Sequence, residues 1–250
     1  MLPLTLFRVR NFAGANLLTL FIYSALSAVF FFLPLNLIQV QHYTATAAGA
    51  ASLPFIVLMS LLSRWSGSLV DRYGARGPLM FGPVVAAIGF ALFAVPSAGG
   101  SYWATFFPAV VVLGFGMAIS VAPLTTTVMN SVPAGRAGIA SGINNAVSRL
   151  AGVLAIAILG IVMLNAFERH LAQDAAQINL APQIRNELDG QRIKLAAIGI
   201  PEQIDTATRE RIKRSIDESF VAGFRVVMLI ASGLALASAV TAWSVIRDKP

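Results

Sequence analysis

The 250-residue chain is 57% hydrophobic and only 12% charged, where a soluble domain carries about 45–50% and about 25%. It has 18 basic and 11 acidic residues, a formal net charge of +7 and no cysteine. These figures exclude disulfides, thiolate metal sites and a cysteine nucleophile; two distant histidines, His42 and His170, do not suggest a metal site.

Charge placement carries more than charge number. No Asp, Glu, Lys or Arg occurs from Asn11 to Ser63, nor from Gly77 to Gly135. A bilayer crossing needs about 20 apolar residues, so each stretch holds two crossings and a turn. Arg8 and Arg10 precede an apolar run that is longer than the 7–15 residues or so of a signal-peptide core, and a retained span is expected.

In chain order, the pattern predicts six membrane helices at about 12–40, 47–69, 78–95, 102–129, 138–167 and 220–246. Pro34 falls near the end of the first. Gln41–Thr46 is a polar turn, Val70–Gly77 a charged loop, and Pro78 suits the first turn of the third helix. Pro96–Gly100 and Pro133–Gly135 are the next breaks. Arg8, Arg10, Arg64, Arg72, Arg76, Arg136, Arg247 and Lys249 all flank one side, whereas the two short loops opposite hold no basic residue. The positive-inside rule therefore places both termini in the cytoplasm and the segment 168–219 outside. Arg225, just inside the last span, is the exception and is close enough to the surface to snorkel.

That external segment carries 8 basic and 9 acidic residues, so the net charge gives no case for nucleic acid. Within it Ile204, Thr208, Ile212, Ile216 and Phe220 recur every four positions, which predicts an amphipathic helix resting on the bundle. Ala48–Ser52 and Ala137–Ser141, both runs of small residues, open the second and fifth spans, as a three-plus-three inverted repeat requires.

The most specific motif is Gly67-Ser-Leu-Val-Asp71-Arg72-Tyr73-Gly74-Ala75-Arg76. Gly67 is expected to let two helices approach closely. Gly74 supplies a turn, and Asp71 suits a salt bridge or the positive end of a helix. Arg72 and Arg76 hold the loop in the cytoplasm. The stretch resembles the cytoplasmic-loop signature of the major facilitator superfamily, with Ala75 where a basic residue is frequent. Phe7–Phe12, Phe32-Leu-Pro34-Leu, Ala122-Pro123-Leu124, and Ala137–Gly142 followed by Asn144, Asn145 and Arg149 are similar to the C-terminal six spans of fourteen-span multidrug exporters of the EmrB/QacA type.

The resemblance implies an all-α polytopic fold, one half of a major facilitator transporter lying in a bacterial cytoplasmic membrane. It also implies a switch role for Gly67, Asp71, Arg72, Gly74 and Arg76, a small-molecule substrate, and a partner that is the N-terminal half or another copy. A proton gradient, rather than a cofactor, is the expected energy source. Asn16, Asn36, Gln39, Asn144, Asn145 and Arg149 are candidates for a substrate cavity; amides in spans also join helices. Arg149 lies about 18 Å into its helix at 1.5 Å per residue, where it can bind an anionic group, pair with Asp71 or snorkel. Gly138, Ser141 and Gly142 have the spacing of a helix-packing face. No Asp or Glu lies inside a span, so a coupling acid is expected in the other half. No protease-type catalytic motif is present, and a transporter is expected rather than an enzyme. The alternative is a non-transporting membrane subunit or an inactive gene fragment.

Overall fold

The computed structural model describes residues 4–175, 190–201 and 204–247, and all of the regular structure there is helical. The helices are α1 (Arg10–Leu35), α2 (Ala45–Ala50), α3 (Leu53–Tyr73), α4 (Arg76–Leu92), α5 (Phe106–Asn130), α6 (Ala137–Ala175) and α7 (Thr206–Val245). Five segments are long and apolar enough to cross a membrane: α1 with its continuation to Val40, α2–α3, α5, α6 and α7. The 17-residue α4 sits at the lower limit for a crossing.

Prolines set the local breaks. After Pro34, α1 widens into a π-turn, Asn36–Val40. Pro54 has no N–H to offer the carbonyl of residue 50, and that is where α2 stops. The freed turn is covered from elsewhere: the Tyr102 hydroxyl donates to the Ala51 carbonyl at 2.7 Å. Thr44 caps α2 by accepting from the Ala47 N–H. Gln41 ties the turn after α1 to the turn after α4, donating to the Ser97 carbonyl and accepting from the Gly99 N–H.

The most extensive pairings are α4 with α5, α1 with α7, α3 with α5, α4 with α7, and α1 with α6. Exchanging the first three crossings with the last three turns α3–α5 into α6–α1 and α4–α5 into α7–α1, and leaves α4–α7 unchanged. The pairing pattern therefore has the symmetry of the expected repeat.

Small residues make the tightest seam. A Cβ on Gly89 would lie 2.6 Å from the Leu113 backbone N, and one on Gly116 would be closer still to the Ala86 backbone N. Gly138 and Gly142, expected to pack a helix, face open space instead, as does Gly67. Their faces of α6 and α3 have no neighbour among the described residues, so the small side chains admit nothing.

Two expected boundaries move. The charged loop after the second span shrinks to Gly74 and Ala75, because α3 runs to Tyr73 and α4 starts at Arg76. The segment 168–219 is largely helical where it is described. At 39 and 40 residues and about 1.5 Å per residue, α6 and α7 are each about 60 Å long, twice the thickness of a hydrocarbon core. The expected amphipathic helix is the outer part of α7 and buries Ile212, Ile216 and Phe220. Asp205 starts it by accepting from the Thr208 N–H, which holds the Asp205 carboxyl below its ordinary range.

Outer α6 and α7 are stitched by polar contacts. Ser215 donates to Asp174 at 3.1 Å, and His170 Nδ1 lies 3.3 Å from both Asp174 and the Ser219 hydroxyl. Both contacts use the same ring nitrogen, so this is a tie between helices and not a nucleophile relay. Arg225 donates to the Ala94 carbonyl at 2.7 Å, at the end of α4, and so caps a helix rather than only reaching for the surface.

Replacing Gly116 by Leu drives a side chain into α4 backbone and is expected to destabilise the bundle by about 3 kcal/mol or more. Gly160→Ala, where a Cβ meets nothing within 4 Å, is expected to stabilise by about 0.5–1 kcal/mol through helix propensity. Thermal unfolding of the purified protein in one detergent, variant against parent, checks both.

Candidate functional site

The signature turn is built around Gly74, whose φ of 72° and ψ of 175° end α3 in a region that essentially only glycine adopts. This conformation reverses the chain within two residues and starts α4 at Arg76. Arg76 Nη2 then donates to the Trp243 carbonyl at 2.6 Å. Arg10 donates to the carbonyls of Ser244 and Val245 at 2.6 and 3.2 Å. Asn11 exchanges two hydrogen bonds with the Arg247 backbone. The C-terminal carbonyls of α7, which have no partner within their own helix, are thus met by cations from the starts of α1 and α4. Positive charge at a helix C-terminus is also favoured by the helix dipole.

Beside this clamp lies a cavity of about 210 Å³ lined by Asn11, Val70, Gly74, Ala75, Thr127, Asn130, Ser131 and Arg247. Arg72 is exposed in the last turn of α3. The side chain of Asp71, expected to form an ion pair or to meet a helix end, lies outside the described residues. Gly67 does not join a helix contact.

Of the candidate cavity residues, Asn16 and Asn144 come together. Asn144 Nδ2 donates to Thr19 Oγ1 at 2.6 Å and lies 3.4 Å from Asn16 Oδ1. Asn16 donates to the Phe12 carbonyl, and Thr19 to that of Ala15. Nearby, Ser24 donates to the Ala151 carbonyl, and Gly152 fits against Ser27. These amides join α1 to α6. Asn36 is 2% exposed and pairs locally with Gln41.

Asn145 and Arg149 stand apart. With Gly138 and Gly142 they recur at intervals of four, three and four, which places them on one face of α6; all four are exposed. Arg149 has no hydrogen bond or ion pair to any described residue. The pairing expected with Asp71 rests on a side chain outside the described set.

Gln39 lines a larger groove of about 560 Å³ on the same side of the bundle. Its walls are Phe31, Phe32 and Leu35 of α1, Ala157, Gly160, Ile161 and Leu164 of α6, and a 3₁₀ turn, Arg192–Ala197. Gln39 Oε1 is buried without a hydrogen-bond partner among the described residues. The residues forming this groove are apolar apart from Gln39 and Lys194, so no polar motif marks them in the sequence. The signal that did exist for the clamp was the pair Arg10–Asn11 at the start of the first span.

Replacing Arg10 by Gln releases two α7 carbonyls and is expected to loosen the last turn by about 1 kcal/mol. Hydrogen–deuterium exchange of the amides at 242–246 should then run about fivefold faster, with exchange in α5 unchanged.

The family description "Major Facilitator Superfamily" matches residues 2–156. The chain is 30% identical over 239 residues to the multidrug resistance protein Stp of Mycobacterium tuberculosis, covering 93% of this chain and 44% of that protein. It is 26% identical over 259 residues to the tetracenomycin C resistance and export protein of Streptomyces glaucescens, covering 100% and 47%. Against the multidrug export protein EmrB of Escherichia coli it is 30% identical over 181 residues, covering 70% and 34%. Among solved structures, a bacterial homologue of the human lysosomal transporter Spinster, inward-facing and unoccupied, superposes with a TM-score of 0.66 at 14% identity, over 98% of this chain and 52% of that one. The chain therefore spans about half the length, or less, of the relatives it matches. Matched over most of its length and sharing the fold, this all-helical, membrane-integral chain belongs to the major facilitator superfamily.

Proposed function

We propose that this chain acts as the C-terminal six-helix half of an exporter of drug-like or toxic small molecules, driven by proton antiport, with both termini cytoplasmic in a bacterial inner membrane. The observation that carries the reading is the open polar face of α6. Asn145 and Arg149 are exposed there, deep in a candidate span. An arginine facing hydrocarbon costs at least about 2.5–3.5 kcal/mol, so this face belongs against protein or a water-filled cavity. The two candidate spans least buried within the chain are α2–α3 at 17% and the α6 segment at 28%, against 44–56% for the other three. One side of the bundle is thus left for a partner, the N-terminal half or a second copy, with substrate between them. Chain coverage of about half of each relative supports the same division. Export as the direction, and drugs as the cargo, come from the relatives' names.

In this reading Arg149 and Asn145 face the substrate path, Asn16 and Asn144 hold α6 against α1, and the Gly74 turn with Arg72, Arg76 and Asp71 forms the cytoplasmic latch that breaks and reforms as the halves rock. The coupling carboxylate lies in the partner, because none of the six crossings expected from the sequence contains an Asp or Glu; the acids of α6 and α7 lie in their extensions beyond 138–167 and 220–246.

The test is ethidium efflux from pump-deficient bacteria that express this chain with the N-terminal six spans of an EmrB-type relative. Efflux that collapses with a protonophore is expected from the pair and not from this chain alone. Arg149→Gln in the pair should slow it about tenfold, near 1.4 kcal/mol in the transport barrier, at unchanged expression. Efflux by the 250-residue chain alone overturns its assignment as a half. A pair that co-purifies yet moves no dye favours the non-transporting subunit.

A further inference from the structure

The exposed stripe of α6 changes character along its length. Its first half bears Gly138, Gly142, Asn145 and Arg149; farther along come Val153, Ala157 and Ile161, exposed, with Gly160 and Leu164 half-buried beside them. The last four are a wall of the 560 Å³ groove, a size within the range of small-molecule pockets, about 300–1,000 Å³. We infer that this groove, between α1 and α6 and roofed by the 3₁₀ turn Arg192–Ala197, binds an amphipathic organic anion: an apolar ring body between Phe31 and Ile161, an acidic group toward Lys194, and an N–H or O–H donated to Gln39.

Three observations carry it. Apolar side chains form the groove walls except at Gln39 and Lys194, a composition that favours a ring body over a sugar or a peptide backbone. Gln39 Oε1 is buried and has no partner among the described residues, and buried acceptors left unpaired are rare in folded proteins. In the proposal the amide of Gln39, which lines the groove, turns toward it to accept from the ligand. Lys194 is the one charged residue of the lining; its ammonium is held by Gln191 Oε1 at 3.0 Å, with two donor hydrogens left for an anion. Between these residues the roof turns at Leu195, whose φ of 53° is a conformation that L side chains seldom adopt. That strain places Leu195 over the groove beside Lys194 and fits a segment shaped for contact. In one respect the inference rests on the export reading, namely that the ligand is cargo on its way out; binding itself does not depend on transport.

Binding can be read without any partner half. The chain has no cysteine, so Ala157→Cys provides a single label site in the groove wall. The protein, in a neutral detergent at low salt, is titrated with 8-anilino-1-naphthalenesulfonate, and protection of the introduced thiol from a maleimide is followed. The neutral N-phenyl-1-naphthylamine, which has the same rings and N–H without the sulfonate, is the control. The sulfonate is expected to protect, and at lower concentration than the neutral probe. Lys194→Gln should weaken the sulfonate about threefold, as for an exposed ion pair, and leave the neutral probe unchanged. Gln39→Leu should weaken both. Gly160→Leu, placed where a Cβ meets open space, should abolish protection without loss of fold. Failure of either probe to protect overturns the site. Equal protection by the two probes, indifferent to Lys194→Gln, overturns the anionic class. A loss of efflux in the two-half experiment with protection intact counts against the export reading alone.

Discussion

Hydrocarbon supplies no hydrogen bonds, so every turn and helix end near the membrane must find its partners within the chain. The irregular points of this bundle are organised by that requirement. Where Pro54 interrupts the second crossing, the Tyr102 hydroxyl reaches the Ala51 carbonyl. Where α4 ends, Arg225 meets Ala94, and where α7 ends, Arg10 and Arg76 meet its last carbonyls. The donors come from elements distant in sequence, so satisfying the backbone also fixes which helices are neighbours. Arg76, the last residue of the family signature, joins the turn after α3 to the end of α7 in this way.

The same solvent rule separates two kinds of exposed surface. Phe81, Leu61 and Val240 face outward with nothing over them, as lipid allows. The stripe through Asn145 and Arg149 is equally uncovered, yet lipid is the wrong medium for it. The relatives that this chain matches are about twice as long, and on the proposed reading this face is where a partner half packs. Farther along the same helix the stripe becomes apolar and the 3₁₀ turn Arg192–Ala197 folds over it. A single helix thereby carries a polar face along its first half and an apolar wall beyond it.

Part of this was legible in residues taken in order. Charge-free stretches mark the crossings because hydrophobicity is a local property of the chain. Gly74 reads as a turn because the required φ is local too, and the four-residue recurrence from Ile204 to Phe220 reads as an amphipathic helix for the same reason. Glycine roles were less legible. Gly67, Gly138 and Gly142 have the spacing of packing residues and pack against nothing described, while Gly89 and Gly116, with no motif around them, make the closest seam. Whether a glycine is needed depends on what stands opposite, and the opposite helix is not written beside it.

Residue order alone carries the class, because hydropathy and charge placement are local: a membrane chain of about six crossings, positively flanked on one side, with a signature turn and no acid in the expected crossings. Which polar groups stay exposed is settled by packing. Asn16 and Asn144 look no different from Asn145 along the chain, but the turn of about 100° from one helix residue to the next sets Asn144 onto α1 and leaves Asn145 open. Gln39 shares a groove with Gly160, Ile161 and Lys194, residues far along the chain from it, because a cavity is a relation between surfaces that only folding brings together.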